Sequence, residues 1–306
     1  MQATIYKSTG SWYNVKADNG DIYNARIKGI FKIDGITSTN PVAVGDKVVI
    51  EEDTESERSA MITEILPREN YIARVSPHNK NQHHIVASNL DQTLLFATLK
   101  DPKTSNGFID RFLVSAEAFH VPAILVFNKS DLYKKKELET LEKWRKVYTA
   151  IGYTIVVLSL ETGEGLPELQ NLLKNKTTLI SGHSGVGKST FINKILPEKN
   201  IKTQDVSGWS GKGMHTTTFA EMYDIEGNGK IIDTPGIREF GLIDVPPAEL
   251  SHFFPEMRAL LHGCRFNNCL HVNEPNCAVK KELINDGAIS EMRYISYLSI
   301  LDSIEK

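Results

Sequence analysis

The sequence predicts an α/β domain on a mostly parallel sheet, preceded by a small β-barrel and followed by a helical, metal-binding tail. Three observations carry that reading. Apolar runs alternate with helical segments from about residue 85 to 241, the mark of a parallel sheet covered on both faces. The first seventy or so residues are short β-forming runs broken by turn signals. All three cysteines lie between Cys264 and Cys277, inside a tail that otherwise reads as helical.

The N-terminal strands are Thr4–Tyr6, Trp12–Val15, Ile22–Arg26 and Lys47–Ile50, separated by turns such as Asp18-Asn19-Gly20 and Gly45-Asp46. About five short strands with few helical signals suggest a small barrel, with an OB-fold the leading candidate. A small β-domain with no ligand fits the same pattern. In the α/β part the expected strands are Thr93–Ala97, Ala123–Phe127, Ile155–Leu158, Thr178–Ile180 and Lys230–Ile232, with helices over Ile109–Phe119 and Lys135–Ile151. Lys134-Lys135-Lys136 reads as a solvated helix start, not a nucleic-acid contact. The expected domains are 1–72, 80–241 and 242–306.

Composition sets the bounds. With 306 residues the chain can hold two or three domains, and 41% apolar with 24% charged residues is ordinary for a soluble globular protein. No apolar stretch approaches the length of a membrane span, and Met1–Lys7 lacks the basic-then-apolar signal pattern. The expectations are a cytoplasmic monomer with no membrane partner. A net charge of −3 carries no global sign of a nucleic-acid partner, so any basic RNA-binding surface must be local.

The chemistry is concentrated in five motifs. Gly182-His183-Ser184-Gly185-Val186-Gly187-Lys188-Ser189 fits G-x-x-x-x-G-K-[ST], follows a strand and opens a helix through Thr190 and Phe191. Its glycines let successive N–H groups approach phosphates, and the helix N-terminus adds favourable dipole. Lys188 can reach the β- and γ-phosphates, and the Ser189 hydroxyl can ligate Mg²⁺. Asp233-Thr234-Pro235-Gly236 follows a buried strand, which puts Asp233 where a Mg²⁺-organising carboxylate belongs and lets Gly236 offer its N–H to a γ-phosphate. Asn128-Lys129-Ser130-Asp131 is similar to the base-reading Asn-Lys-x-Asp of GTPases: an Asp carboxylate accepts from the ring N–H and exocyclic amine of guanine, a donor pair adenine lacks. Ser159-Leu160-Glu161 occupies the place of the supporting Ser-Ala-Lys element, with Ser159 alone matching. Between phosphate loop and Asp233, Gly211–Thr218 is a candidate switch in which one threonine ligates Mg²⁺; Thr217 is preferred among the three.

These motifs are rotated. Ordinary GTPases place the phosphate loop first and the base-reading elements last; here 128–131 and 159–161 precede 182–189, 211–218 and 233–236. That order defines a circularly permuted phosphate-loop GTPase, the same sheet with its termini moved to another surface connection. The permuted order, the preceding barrel, the Gly-x-Gly-x-His-Thr-Thr-Thr segment and the C-terminal Cys/His cluster together resemble the ribosome small-subunit-dependent GTPase A family. The resemblance covers nearly the whole chain. It implies an OB-fold contacting ribosomal RNA, a zinc domain, and a role in late maturation of the small (30S) subunit with hydrolysis stimulated by that subunit. Its partners would be the small subunit, its rRNA and GTP or GDP. One departure from ordinary GTPases concerns mechanism: Ile237 stands where many carry a water-positioning Gln. His215, on the candidate switch, is the catalytic candidate in its place, alongside Lys188; a structural or RNA-facing histidine is the other reading of it. The chain also runs from Asp233–Gly236 directly toward the zinc domain, so nucleotide state is expected to reorient that domain.

Cys264-x4-Cys269-x-His271-x5-Cys277 supplies three thiolates and one imidazole within fourteen residues. Four soft or borderline ligands without a carboxylate match a closed, structural tetrahedral zinc site, one ion per chain. His252 and His262 lie nearby but off the pattern. Two other functions compete. An ATPase with the same phosphate chemistry conflicts with Asn128-Lys129-x-Asp131. An RNA-binding scaffold that binds nucleotide without turning it over would keep the barrel and metal modules.

Overall fold

A computed structural model describes residues 1–28, 41–53, 56–75, 83–199, 220–234, 245–285 and 287–304. The candidate switch 211–218 with His215 and Thr217, together with Gly236 and Ile237, lies outside the described residues.

The N-terminal strands β1 (Gln2–Ser8), β2 (Tyr13–Ala17), β3 (Ile22–Ile27), β4 (Lys47–Glu52) and β5 (Ser59–Ile65) pair in the order β1-β2-β3-β5-β4, and β4 returns to β1. Among the described residues only β3 and β5 of this unit pair in parallel, and the β4–β1 pairing closes the sheet on itself as an OB-fold barrel. The period-two alternation explains the closure. Ala3, Ile5, Tyr13, Val15, Ala17, Tyr23, Ala25, Val48, Ile50, Ala60 and Ile62 all face one interior, while their neighbours face out. A single pairing, Lys7 with Glu221, hangs the barrel on the edge of the α/β sheet, and the same two side chains form an ion pair at 2.6 Å.

A hairpin that the strand pattern did not reveal, β6 (Tyr71–Val75) with β7 (His83–Ser88), follows the barrel. It is clamped by Asp46, whose fully buried carboxylate accepts from Arg68 Nε and Nη2 at 2.6 Å each, Ser88 Oγ at 2.6 Å and the Ala43 N–H at 2.8 Å. The charge is therefore paired and fully hydrogen-bonded, the condition under which burial is tolerated. Gly45 makes the close approach possible: at φ +95° a Cβ there would lie 2.1 Å from the Ser88 carbonyl oxygen.

The remaining strands are β8 (Gln92–Ala97), β9 (Ala123–Phe127), β10 (Thr154–Val157), β11 (Thr177–Gly182), β12 (Glu221–Ile225) and β13 (Gly229–Asp233), in the spatial order β10-β9-β8-β11-β13-β12. All pair in parallel except the edge strand β12, which runs antiparallel to β13. Helices α1 (Asn106–Ala118) and α2 (Lys135–Ile151) cover one face, and α3 (Leu166–Leu173) and α4 (Lys188–Ile195) the other. Strand residues divide between the two cores by parity. Leu95, Ala97, Leu125 and Phe127 pack with Phe112, Leu113 and Trp144, whereas Leu94, Phe96, Val126 and Ile180 pack with Leu169, Leu173, Phe191 and Ile192.

α1 begins three residues before the sequence-based estimate because Ser105 caps it, its hydroxyl accepting from the Phe108 N–H at 3.2 Å. The tail supplies α5 (Pro255–Arg258), α6 (Ala278–Ile284) and α7 (Glu291–Ile304). Its core, including Leu250, Phe254, Met257, Val279, Tyr297 and Ile300, extends to Val114 of α1. Beside it, Arg293 is completely buried and bonds Asp110 of α1 at 2.7 Å and Glu256 of α5 at 2.7 and 3.2 Å.

Candidate nucleotide site and metal centre

The parallel sheet brings the separated motifs to one edge. The phosphate loop leaves the carboxyl end of β11, Asn128 follows β9, Ser159 follows β10, and Asp233 ends β13. This is where ligands sit in open α/β sheets.

Asn128 is the hub. Its side-chain amide donates to the Val186 carbonyl at 2.8 Å, and its Oδ1 accepts from the Leu160 N–H at 3.3 Å. One buried side chain thus ties the phosphate loop to both base-reading loops. Tyr133 holds the other side of Asn128, its hydroxyl donating to the Asn128 carbonyl at 2.6 Å and accepting from the Leu99 N–H at 3.1 Å. Burial pushes the Tyr133 phenol up to about 12, so it stays a donor. Lys129 takes the left-handed conformation, φ 63°, and its ammonium donates to the Asp101 carbonyl.

Asp131 is exposed and accepts from Ser159 Oγ at 2.6 Å. Ser159 in turn accepts from the Thr162 N–H, and Ser130 Oγ donates to Glu164 at 3.1 Å. Tyr133, Thr162 and Glu164 were not singled out by sequence, since none belongs to a motif and each acts only through a folded contact.

In the phosphate loop Gly182, Gly185 and Gly187 all have positive φ. Lys188 is half-buried and donates to the carbonyls of Gly182 at 2.5 Å and His183 at 2.6 Å. Burial lowers its ammonium to about 8, opposed by the Asp233 carboxylate. Burial likewise raises Asp233 above the ordinary carboxylate range, opposed by Lys188. A half-buried ammonium and a buried carboxylate, both pressed toward neutrality, suit a site built around a polyanion and its cation. Ser184 and Thr190 are exposed, and Ser189 is half-buried at the first turn of α4.

The second cluster joins Cys264, Cys269, His271 and Cys277, with one ligand atom from each inside a span of 4.8 Å. His271 Nδ1 lies 3.3 Å from Cys277 Sγ and 3.7 Å from Cys264 Sγ. The loop is held from outside. Glu274 accepts the N–H groups of Leu270, Val272 and Asn273 at 2.8 to 3.1 Å, and Tyr294 and Tyr297 of α7 donate to the carbonyls of His271 and Leu270. Burial pushes the Cys269 thiol up to about 12. Gathering thiols at that cost makes sense if a cation compensates their charge, and the donor set can hold a metal ion. Neither His252 nor His262 belongs to the cluster.

Comparison with known proteins now assigns the family. The RsgA GTPase family matches residues 65–243, and the RsgA N-terminal domain matches residues 2–62. The chain belongs to the RsgA GTPase family. Membership makes it a GTP hydrolase. Curated relatives named small ribosomal subunit biogenesis GTPase RsgA include one from Bacteroides fragilis, 49% identical over all of this chain and 98% of the relative. Another, from Cytophaga hutchinsonii, is 54% identical over 98% of each. Among solved structures, YjeQ from Thermotoga maritima matches with TM-score 0.79 and 31% identity over 99% of this chain and 97% of that one. YloQ, titled a circularly permuted GTPase, matches with TM-score 0.75 and 28% identity over 99% and 94%. The rotation read from motif order is therefore a property of the family's fold. Among the described residues no helix is long and apolar enough to cross a membrane.

Proposed function

We propose that this chain hydrolyses GTP to GDP and phosphate during late maturation of the small ribosomal subunit, which is its partner and stimulates the reaction. The observation that carries the reading is the Asn128 bridge, which joins the base-reading and phosphate-binding loops into one site despite their reversed order in sequence. Guanine is read by Asp131, with Lys129 along the base and Ser159 and Ser130 steadying the loop. Gly182–Ser189 and Thr190 wrap the phosphates, Gly236 adds an N–H to the γ-phosphate, and Lys188 stabilises charge developing there. Ser189, Asp233 and Thr217 would hold Mg²⁺, which would supply positive charge to offset the negative charge of the phosphates. With Ile237 in place of a polar side chain, His215 orients the attacking water.

The three units, 1–72, 80–241 and 242–306, divide the work. The OB barrel contacts rRNA, the centre hydrolyses GTP, and the tail is a module stapled by one structural zinc on Cys264, Cys269, His271 and Cys277. The protein works in the cytoplasm as a monomer. Its nucleotide state sets how tightly it holds the subunit, because the chain runs from Asp233 toward the zinc module.

The test is GTP turnover with and without purified small subunits, with ATP as competitor. Stimulated phosphate release that ATP does not suppress is expected. Nucleotide binding with no release in the presence of subunits would replace the enzyme with a scaffold.

A further inference from the structure

Phe108 lies in the first turn of α1, beside the phosphate loop but outside every nucleotide motif. Its ring stacks on His183, with centroids 3.6 Å apart and planes inclined by 30°. Both side chains are half-buried. His183 is the second residue of the phosphate loop, and its carbonyl is one of the two that hold the Lys188 ammonium. Whatever fixes the imidazole therefore fixes the peptide that aims the lysine.

The other side of the contact is firm. α1 is capped by Ser105, buries Ile109, Phe112 and Leu113 in the sheet core, and is pinned to α7 by the buried Asp110–Arg293 pair at 2.7 Å. A ring carried on such a helix has little freedom to follow a wandering loop. The phosphate loop, by contrast, carries three positive-φ glycines, and the stack at His183 braces it in addition to the Asn128 bond at Val186.

We propose that Phe108 is a positioning residue for GTP hydrolysis, acting through His183 to hold Lys188 in register with the phosphates. The inference rests on the role given to Lys188 above. It also implies that the seating of the C-terminal helices is felt at the catalytic lysine, because α1 is shared by both cores. A misplacement of about 1 Å in a charge-stabilising group is enough to cost roughly a hundredfold in rate.

The test is steady-state turnover stimulated by small subunits. Phe108→Ala is expected to lower kcat about tenfold while KM and GDP affinity change less than about threefold, since the loop amides and base-reading loop still hold the nucleotide. Phe108→Tyr keeps the stack and restores kcat. His183→Ala gives the same loss from the loop side, and the double variant loses no more than either single one. Should Phe108→Ala fold poorly, His183→Ala and Phe108→Tyr still decide the matter. Unchanged kcat in both alanine variants, equal impairment of Tyr and Ala, or additive losses in the double variant would overturn the inference. Wild-type protein that releases no phosphate with subunits present would remove the GTPase reading, and this inference with it.

Discussion

Gly187 measures how closely the two nucleotide loops approach. At φ +101°, a Cβ on it would lie 2.2 Å from the Asn128 amide nitrogen, so only glycine lets Asn128 reach the Val186 carbonyl. The Asn128 side chain is spent on that bridge, and the exposed Asp131 is the carboxylate proposed to read the base. Asp131 is already oriented by the Ser159 hydroxyl, so little ordering remains when guanine binds. Replacing the carboxylate by an amide turns one acceptor into a donor that faces the guanine N–H groups. Asp131→Asn should weaken GTP binding by about a hundredfold, and should improve binding of a xanthine nucleotide, whose ring offers a carbonyl where guanine has an amine. Titration calorimetry with both nucleotides checks it. Equal GTP affinity in variant and wild type would mean that Asp131 does not read the base.

At the scale of elements, the cysteine-bearing loop between the turn Leu261–Gly263 and α6 has almost no regular structure of its own. It is ordered by Glu274, by the two α7 tyrosines and by the ligand cluster, and Cys277 also caps α6. With the proposed single zinc held there, Cys269→Ser should reduce bound zinc to well under half an ion per chain and lower stability by several kcal/mol, the effect expected for a structural metal site. Elemental analysis with thermal unfolding, with and without a chelator, measures both, and an undiminished zinc content would remove Cys269 from the ligand set. This element was legible because its chemistry sits in fourteen consecutive residues. So were β9 and α2, whose patterns are strong and uninterrupted. β12 was missed since an antiparallel edge strand, Glu221–Ile225, buries only Met222 fully and shows no apolar run. The β6–β7 hairpin depends on the Asp46 clamp, a contact made across the barrel boundary. The start of α1 was placed at Ile109 by its apolar spacing; the Ser105 cap, which brings Phe108 into the helix, leaves that spacing unchanged.

For the molecule as a whole, the decisive contact is the buried group that joins the α/β core to the C-terminal helices. Arg293 of α7 bonds Asp110 of α1 and Glu256 of α5, and Tyr148 of α2 donates to Asp110 at 2.7 Å. Arg293 also lies over the Phe254 ring, 4.5 Å from its centroid. Arg293 is the cation that both buried carboxylates share, so the arrangement depends on the arginine more than on either acid. Arg293→Met fills similar volume but leaves Asp110 and Glu256 buried without a counter-charge. We expect it to destabilise the protein by roughly 3–5 kcal/mol, with the loss confined at first to the C-terminal helices. Hydrogen exchange read by segment separates the possibilities: residues 291–304 and 255–258 should lose protection while β8, β9 and β11 retain theirs. The α/β core has its own apolar packing on both faces and is expected to fold without Arg293. Nucleotide binding should accordingly survive, whereas turnover stimulated by the small subunit should fall, because α1 would lose the post that steadies it beside the phosphate loop. Retained protection across 291–304 in the variant would show that apolar packing around Val114 and Phe254 alone fastens the tail, and that the ion group is not what links the two cores.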